Sequence, residues 1–368
     1  MLIGGIQKFV VFLLYGSLVA QAFIVLSNPT KVNRRANLFF GFFLFFWSSY
    51  WLINVVTLCQ LPVTDLLVII VNGLQILTPV FLYFSVILFT NPNYRFRKND
   101  LFCFIIPVVY IILLMKFRDD KQYYSMIMFV DILHNLPYIA IAYFKIRRHQ
   151  KQIQSISSSI ENINLQWLVR VLFMLFIVII VTVFYELYNA LVYKMQQHVV
   201  MDLFFLFISY TTSYYVLQQR EIYPKDKEQR KELLAVVPEE ETRTEKKKPI
   251  ADGEFDECRN RLVRLMGNDR PYLDGELNLL GLAVMMELNV HQLSYLINKG
   301  FSENFFQFVN KYRVEYAKDL LRNMEASRYS LLGIAYESGF NSKTAFNTTF
   351  KKMTKMTPSE FQKKHSGL

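Results

Sequence analysis

Cysteine is scarce in this chain: Cys59, Cys103 and Cys258 are the three in 368 residues, and they lie far apart. That excludes a disulfide framework, and no pair has metal-ligand spacing. The 13 glycines are scattered, so no glycine-rich loop can cradle a phosphate. HExxH and CxxC are also missing. No metal or cofactor is expected, and the chain does not read as an enzyme. Acidic residues are the minority charge, 30 against 41 Lys and Arg, for a net charge of +11.

Apolar side chains are what the chain has in plenty. Hydrophobic residues make up 53%, aromatics 16%, and there are 33 Phe. The excess is confined to residues 1–217, ahead of a polar and charged remainder. Runs long enough to span a bilayer occur at about 6–27, 36–58, 66–90, 101–117, 123–144, 167–191 and 199–217. The first lacks the marks of a cleaved signal peptide and reads as an anchor. Seven transmembrane helices are therefore expected.

Loop charge sets the expected orientation. Connections 28–35, 91–100 and 145–166 carry Lys31, Arg34, Arg35, Arg95, Arg97, Lys98, Lys145, Arg147, Arg148 and Lys151. The opposite side has Lys8, Lys116, Arg118, Lys121 and Lys194. The positive-inside rule places the richer set in the cytoplasm, with the N-terminus outside and the C-terminus inside. An inner-membrane, multi-pass location follows. Ionisable or amide groups within spans are costly and hence candidates for ligand binding. On this topology Asn72, Gln75, Asp131, His134, Glu186 and Asp202 fall in the outer halves of their helices, and Asp131 and His134 share a face. The alternative is that they pair with one another or snorkel to the interface.

Residues 218–252 read as a charged linker, a short helical extension of the last span followed by a flexible tether. Residues 253–368 read as a soluble domain, opening with a helical pattern over 254–266. Its most informative stretch is Ser330–Phe361, a helix, a tight turn at Gly339 and a second helix. Ser342 is placed to cap that second helix, and Phe346 and Phe350 recur on its inner face at i,i+4. Thr357, Pro358 and Glu360 form a capping box. After position 340, Lys343, Lys351, Lys352, Lys355, Lys363 and Lys364 face Glu360 alone. Such an imbalance suits phosphate contact, although a bare charge run is more often a solvated face.

The same device occurs upstream. Leu279-Leu280-Gly281-Leu282-Ala283 and Leu331-Leu332-Gly333-Ile334-Ala335 are near copies 52 positions apart. With one extra residue in the second turn, Leu293 answers Phe346 and Ile297 answers Phe350. Two copies of one supersecondary unit are expected. Between them Glu303–Asn323 patterns as a helix about 30 Å long, close to the ~34 Å of one DNA turn.

Residues from about 270 to 365 resemble the AraC/XylS-type DNA-binding domain. Ile334-Ala335, Gly339-Phe340, Ser342, Phe346, Phe350-Lys351, Thr357-Pro358 and Phe361 follow its pattern in register. Upstream, Leu282-Ala283, Leu293-Ser294, Asn298, Phe305, Phe308-Val309-Asn310, Arg313 and Ala317-Lys318 do the same. Glu287 and Lys355 stand where that family usually has glycine, and Tyr295 and Thr348 where it often has arginine. The resemblance implies base-facing His291, Ser294 and Tyr295 in the first unit, and Lys343, Thr344, Asn347 and Thr348 in the second. Lys351 and Lys352 are expected on phosphates.

The expected fold is thus all-α: a seven-helix membrane domain over 1–217, then a cytosolic tandem helix-turn-helix domain. The expected function is a membrane-embedded one-component transcription regulator with double-stranded DNA, the lipid bilayer and RNA polymerase as partners. A small-molecule ligand or a membrane protein would supply the signal, and a homodimer is compatible but not required. In an alternative, the helices only anchor a DNA-binding domain controlled by a partner or by proteolytic release. An intramembrane enzyme is a more distant rival.

Overall fold

The computed structural model describes residues 2–117, 121–161, 163–191, 198–220, 222–223, 226–236, 250–322 and 330–365. Side chains at 2–4, 121–129, 132, 185–187, 189–191, 198, 227, 235–236 and 252 are outside that description. The described residues are helical, with an isolated antiparallel bridge between Ser157 and Asn278 in place of any sheet. The chain divides into two compact units, one of 1–148 with 165–222, the other of 149–164 with 223–368.

The first unit holds α1 (Leu2–Ser27), α2 (Arg34–Leu58), α3 (Asp65–Thr90), α4 (Ile105–Phe117), α6 (Gln166–Leu191) and α7 (His198–Gln218). It also holds most of α5 (Lys121–Gln152). Long unbroken apolar runs favour helix because every backbone donor and acceptor can be met within the segment. Their outward faces stay apolar: Phe9 is 67% exposed and Phe23 72%. That is costly in water and natural against lipid tails. Six helical segments among the described residues are long and apolar enough to cross a membrane. The expected fifth span, 123–144, lies within α5, several of whose side chains are outside the described residues, so the seventh crossing is not among those six.

Inside this unit, packing is aromatic, and polar bonds tie helices together where hydrophobic force is weak. Phe43 stacks on Trp47 with centroids 5.5 Å apart, and Trp51 meets Phe205 edge-on at 4.9 Å. Gln21 and Ser209 exchange hydrogen bonds of 2.7 and 3.0 Å between α1 and α7. Trp167 Nε1 donates to Gln219 Oε1 at 2.7 Å, fixing the start of α6 to the end of α7.

The second unit holds α8 (Lys227–Val236), α9 (Asp252–Asn268), α10 (Leu279–Met285), α11 (Val290–Phe301), α12 (Phe305–Arg322), α13 (Leu331–Glu337), α14 (Lys343–Thr354) and α15 (Pro358–His365). The expected extension of the last span is instead a separate helix. Helix α7 stops at Gln218, and α8 buries Leu233 within the second unit. Of the linker expected over 218–252, residues 237–249 lie outside the described residues. Helix α12 starts at a reciprocal cap, Asn304 with Gln307 at 3.0 and 2.9 Å, and its 18 residues run about 27 Å.

The duplication is visible in the geometry. Asn278 caps α10 through the amide of Gly281 (2.9 Å), and Ser330 caps α13 through that of Gly333 (3.1 Å). Helices α11 and α14 have 12 residues each, and both end on a left-handed residue, Ser302 (φ 56°) and Lys355 (φ 64°). Behind α14, Phe340, Phe346, Phe350 and Phe361 form a core with Val314, Ala317, Leu321, Ile334 and Ala335. Fully buried Phe346 is worth about 3–5 kcal/mol against alanine.

Candidate nucleic-acid interface

Each second helix of the two units is held by a side chain at its start. Asn289 and Gln292 form a capping box on α11, with bonds of 3.0 and 2.9 Å. Ser342 Oγ accepts from the amide of Ala345 at 3.1 Å on α14. With Leu293 and Ile297, or Phe346 and Phe350, buried at the core side, the rest of each helix must face outward.

On α14 the outer face is open: Lys343, Thr344, Thr348, Lys351 and Lys352 are exposed and Asn347 is half-buried. On α11 His291 is exposed, while Ser294 and Tyr295 are half-buried and already engaged. Asn298 Nδ2 donates to Ser294 Oγ at 3.3 Å, and Lys299 Nζ donates to the Tyr295 hydroxyl at 3.1 Å. The Tyr295 ring also meets Phe255 of α9 edge-on, centroids 5.9 Å apart. Glu360, the acid of that region, is tied into the cap before α15 and stays ionised, its charge facing that of Lys351. Its carboxylate accepts from the Thr357 amide at 2.7 Å, while Thr357 Oγ1 accepts from the Glu360 amide at 3.2 Å. Hydrogen bonds from the Thr357 amide and then its hydroxyl hold the Glu360 carboxyl below its ordinary pKa.

Two residues not singled out for a role in the sequence organise the turns. Arg313 of α12 is 1% exposed, with the Phe340 ring beneath its guanidinium. Its Nε donates to the Tyr272 carbonyl at 2.7 Å, and its terminal nitrogens to the Ser158 Oγ (3.0 Å) and Asp274 carbonyl (2.8 Å). Burial lowers its pKa to about 10, which leaves it charged at neutral pH. Asn341 spans Gly275 and Ser159, donating to the Gly275 carbonyl at 2.8 Å and the Ser159 Oγ at 3.2 Å. Both gather the segment 149–164, which the sequence places among the membrane-domain connections. Backbone bonds complete the seam, with Leu279 N to the Ile156 carbonyl at 2.9 Å and Ser158 N to the Leu277 carbonyl at 3.4 Å. Arg313 is distinguishable by sequence as a basic residue on the apolar face of α12; that Ser158 would receive it is not.

The membrane-unit candidates separate. Asp131 and Asp202 line one cavity of about 540 Å³ with Tyr50, Trp51, Asn54 and Asn135. Asp131 accepts from the Tyr50 hydroxyl at 2.9 Å, and Asp202 from Trp51 Nε1 at 2.7 Å. Asn72 turns back to the Val68 carbonyl (2.8 Å), Gln75 reaches the Ser49 carbonyl (3.4 Å), and His134 packs edge-on against Tyr138, so these three do not line it. The Glu186 side chain lies outside the described residues.

Residues 282–364 match the family described as a helix-turn-helix domain. This part of the chain is a helix-turn-helix domain of the AraC type, and the protein is a DNA-binding regulator whose N-terminal helices are apolar enough to span a membrane. No curated protein and no solved structure matches the chain.

Proposed function

We propose that this protein is a membrane-embedded, one-component transcription regulator. Seven helices, including 123–144, cross the inner membrane with the N-terminus outside, and the tandem helix-turn-helix domain works in the cytoplasm. His291, Ser294, Tyr295, Lys343, Thr344, Asn347 and Thr348 meet base edges, and Lys351 and Lys352 meet phosphates. Exposed Lys351 and Lys352 give the second unit most of the phosphate affinity, and in the first unit, where Ser294 and Tyr295 are bonded within α11, His291 is the exposed base-facing residue.

The observation that carries the sensing part of this reading is the segment 149–164. In sequence it joins α5 to α6, and it packs as part of the DNA-binding unit around Arg313. A change in α5 or α6 is therefore covalently connected to the seam that holds α10, α12 and the turn before α14. A tether through α7 alone would leave that seam unexplained. His149, 1% exposed, closes one end: its Nε2 contacts the Ile163 carbonyl at 3.2 Å, which requires the proton on Nε2 and leaves Nδ1 for the Tyr223 hydroxyl at 3.4 Å.

The test is a titration of full-length protein in lipid nanodiscs with duplex fragments at several salt concentrations. A steep salt slope and competition by specific over random duplex are expected. Absence of duplex binding at low ionic strength contradicts the reading.

A further inference from the structure

Within the membrane unit, five aromatic side chains (Phe43, Trp47, Tyr50, Trp51 and Phe205) and two carboxylates face one cavity of about 540 Å³. That volume suits a small organic molecule. Asp131 is 8% exposed and Asp202 7%. The Tyr50 hydroxyl occupies Asp131 Oδ2, whereas Asp131 Oδ1 is buried with no hydrogen-bond partner. No basic side chain is among the described residues that line the cavity. A buried carboxylate at Asp131 with one oxygen unpartnered, and no basic side chain among the described lining residues, favours a guest that brings positive charge. Electron-rich ring faces favour the same guest, since indole and phenol attract ammonium groups.

We propose that this cavity binds a small organic cation, an amine or quaternary ammonium on an apolar body. The ammonium takes Asp131 Oδ1 and lies among Tyr50, Trp47 and Trp51, while the apolar body rests on Leu82, Ile139 and Val178. Asn54 and Asn135 offer amides for a polar substituent. The proposal rests on the sensing role given to the membrane helices above and supplies the class of signal.

Trp47 and Trp51 report the site directly, and Trp167→Phe removes the remaining indole. Full-length Trp167→Phe protein in nanodiscs is titrated with 2-phenylethylammonium and, separately, with 2-phenylethanol, similar in shape but uncharged. A saturable change in tryptophan emission is expected, with the ammonium binding at least about tenfold tighter. Asp131→Asn is expected to bring the ammonium down to the alcohol's affinity and leave the alcohol unchanged. An ammonium that binds no tighter than the alcohol in the unsubstituted cavity overturns the proposal, whatever the variant does. Full affinity in a well-folded Asp131→Asn also overturns it. The duplex titration is run on the same preparation. Loss of duplex binding with selective ammonium binding intact would sink the regulator reading and sustain the site. Duplex binding with no selectivity for the ammonium would sink the site alone.

Discussion

The two helix-turn-helix units share one backbone plan and differ in what crowds it. At the turn, Glu287 (φ 53°) and Gly339 (φ 81°) hold the same left-handed conformation, 52 residues apart. Glu287 is exposed, so its cost is torsional alone. At Gly339 a Cβ would stand 2.3 Å from the Tyr272 carbonyl oxygen, the atom that Arg313 also binds. The same conformation therefore tolerates glutamate in one unit and excludes any side chain in the other. The outer faces differ as well. On α11 Tyr295 packs against Phe255 and exposed Lys299 lies over both rings, whereas α14 presents Lys343, Lys351 and Lys352 to solvent. A duplicated motif thus yields one unit built into its surroundings and one open to a polyanion.

The sharpest way to break this comparison is at the turns. Gly339→Ala should cost about 3 kcal/mol in denaturant unfolding, combining left-handed strain with a backbone clash. Glu287→Ala should change stability little. Arg313→Met comes next. It strands the Tyr272 and Asp274 carbonyls and should cost about 2–3 kcal/mol. Faster amide exchange over 153–161 should accompany that loss, and unchanged exchange there would separate Arg313 from the seam.

Binding tests the open face. Lys351→Ala with Lys352→Ala should weaken all duplexes alike and flatten the salt slope by about 1.8, roughly 0.9 for each phosphate no longer neutralised. Asn347→Ala should instead change which duplexes a random pool yields.

A pH titration probes the segment 149–164. Burial holds His149 at about 4, below its ordinary 6.5, so the unfolded chain binds the extra proton between those values. Stability should be full above about 6.5 and fall toward pH 4, by up to ~1.4 kcal/mol per pH unit, and His149→Gln should remove that slope. The smallest effect is a gain: Glu287→Gly and Lys355→Gly should each stabilise by about 0.5–1 kcal/mol, since both residues sit at positive φ.

Much of this was legible from the residues. The near copies at 279 and 331, the caps at Ser342 and Thr357, and the buried Phe346 and Phe350 are local patterns with fixed spacing, and local patterns survive folding. The departures at Glu287 and Lys355, read as places where glycine is usual, turn out to be left-handed residues. The seam at Arg313 was not legible, because Ser158 lies 155 residues away and nothing in its own neighbourhood marks it. Nor was the division of the intramembrane polar groups. Helical period puts Asp131 and His134 on one face, but only the packing of α2, α3, α6 and α7 around α5 decides that Asp131 meets the cavity and His134 meets Tyr138.

The central claim is that a membrane-held chain grips chromosomal DNA with its second helix-turn-helix unit. Crosslinking the full-length protein in cells and sequencing the attached DNA tests it most directly. Discrete enriched sites that vanish with Lys351→Ala and Lys352→Ala, while the protein stays in the membrane fraction, are the predicted result. No enrichment, or the same sites after both lysines are gone, would contradict it.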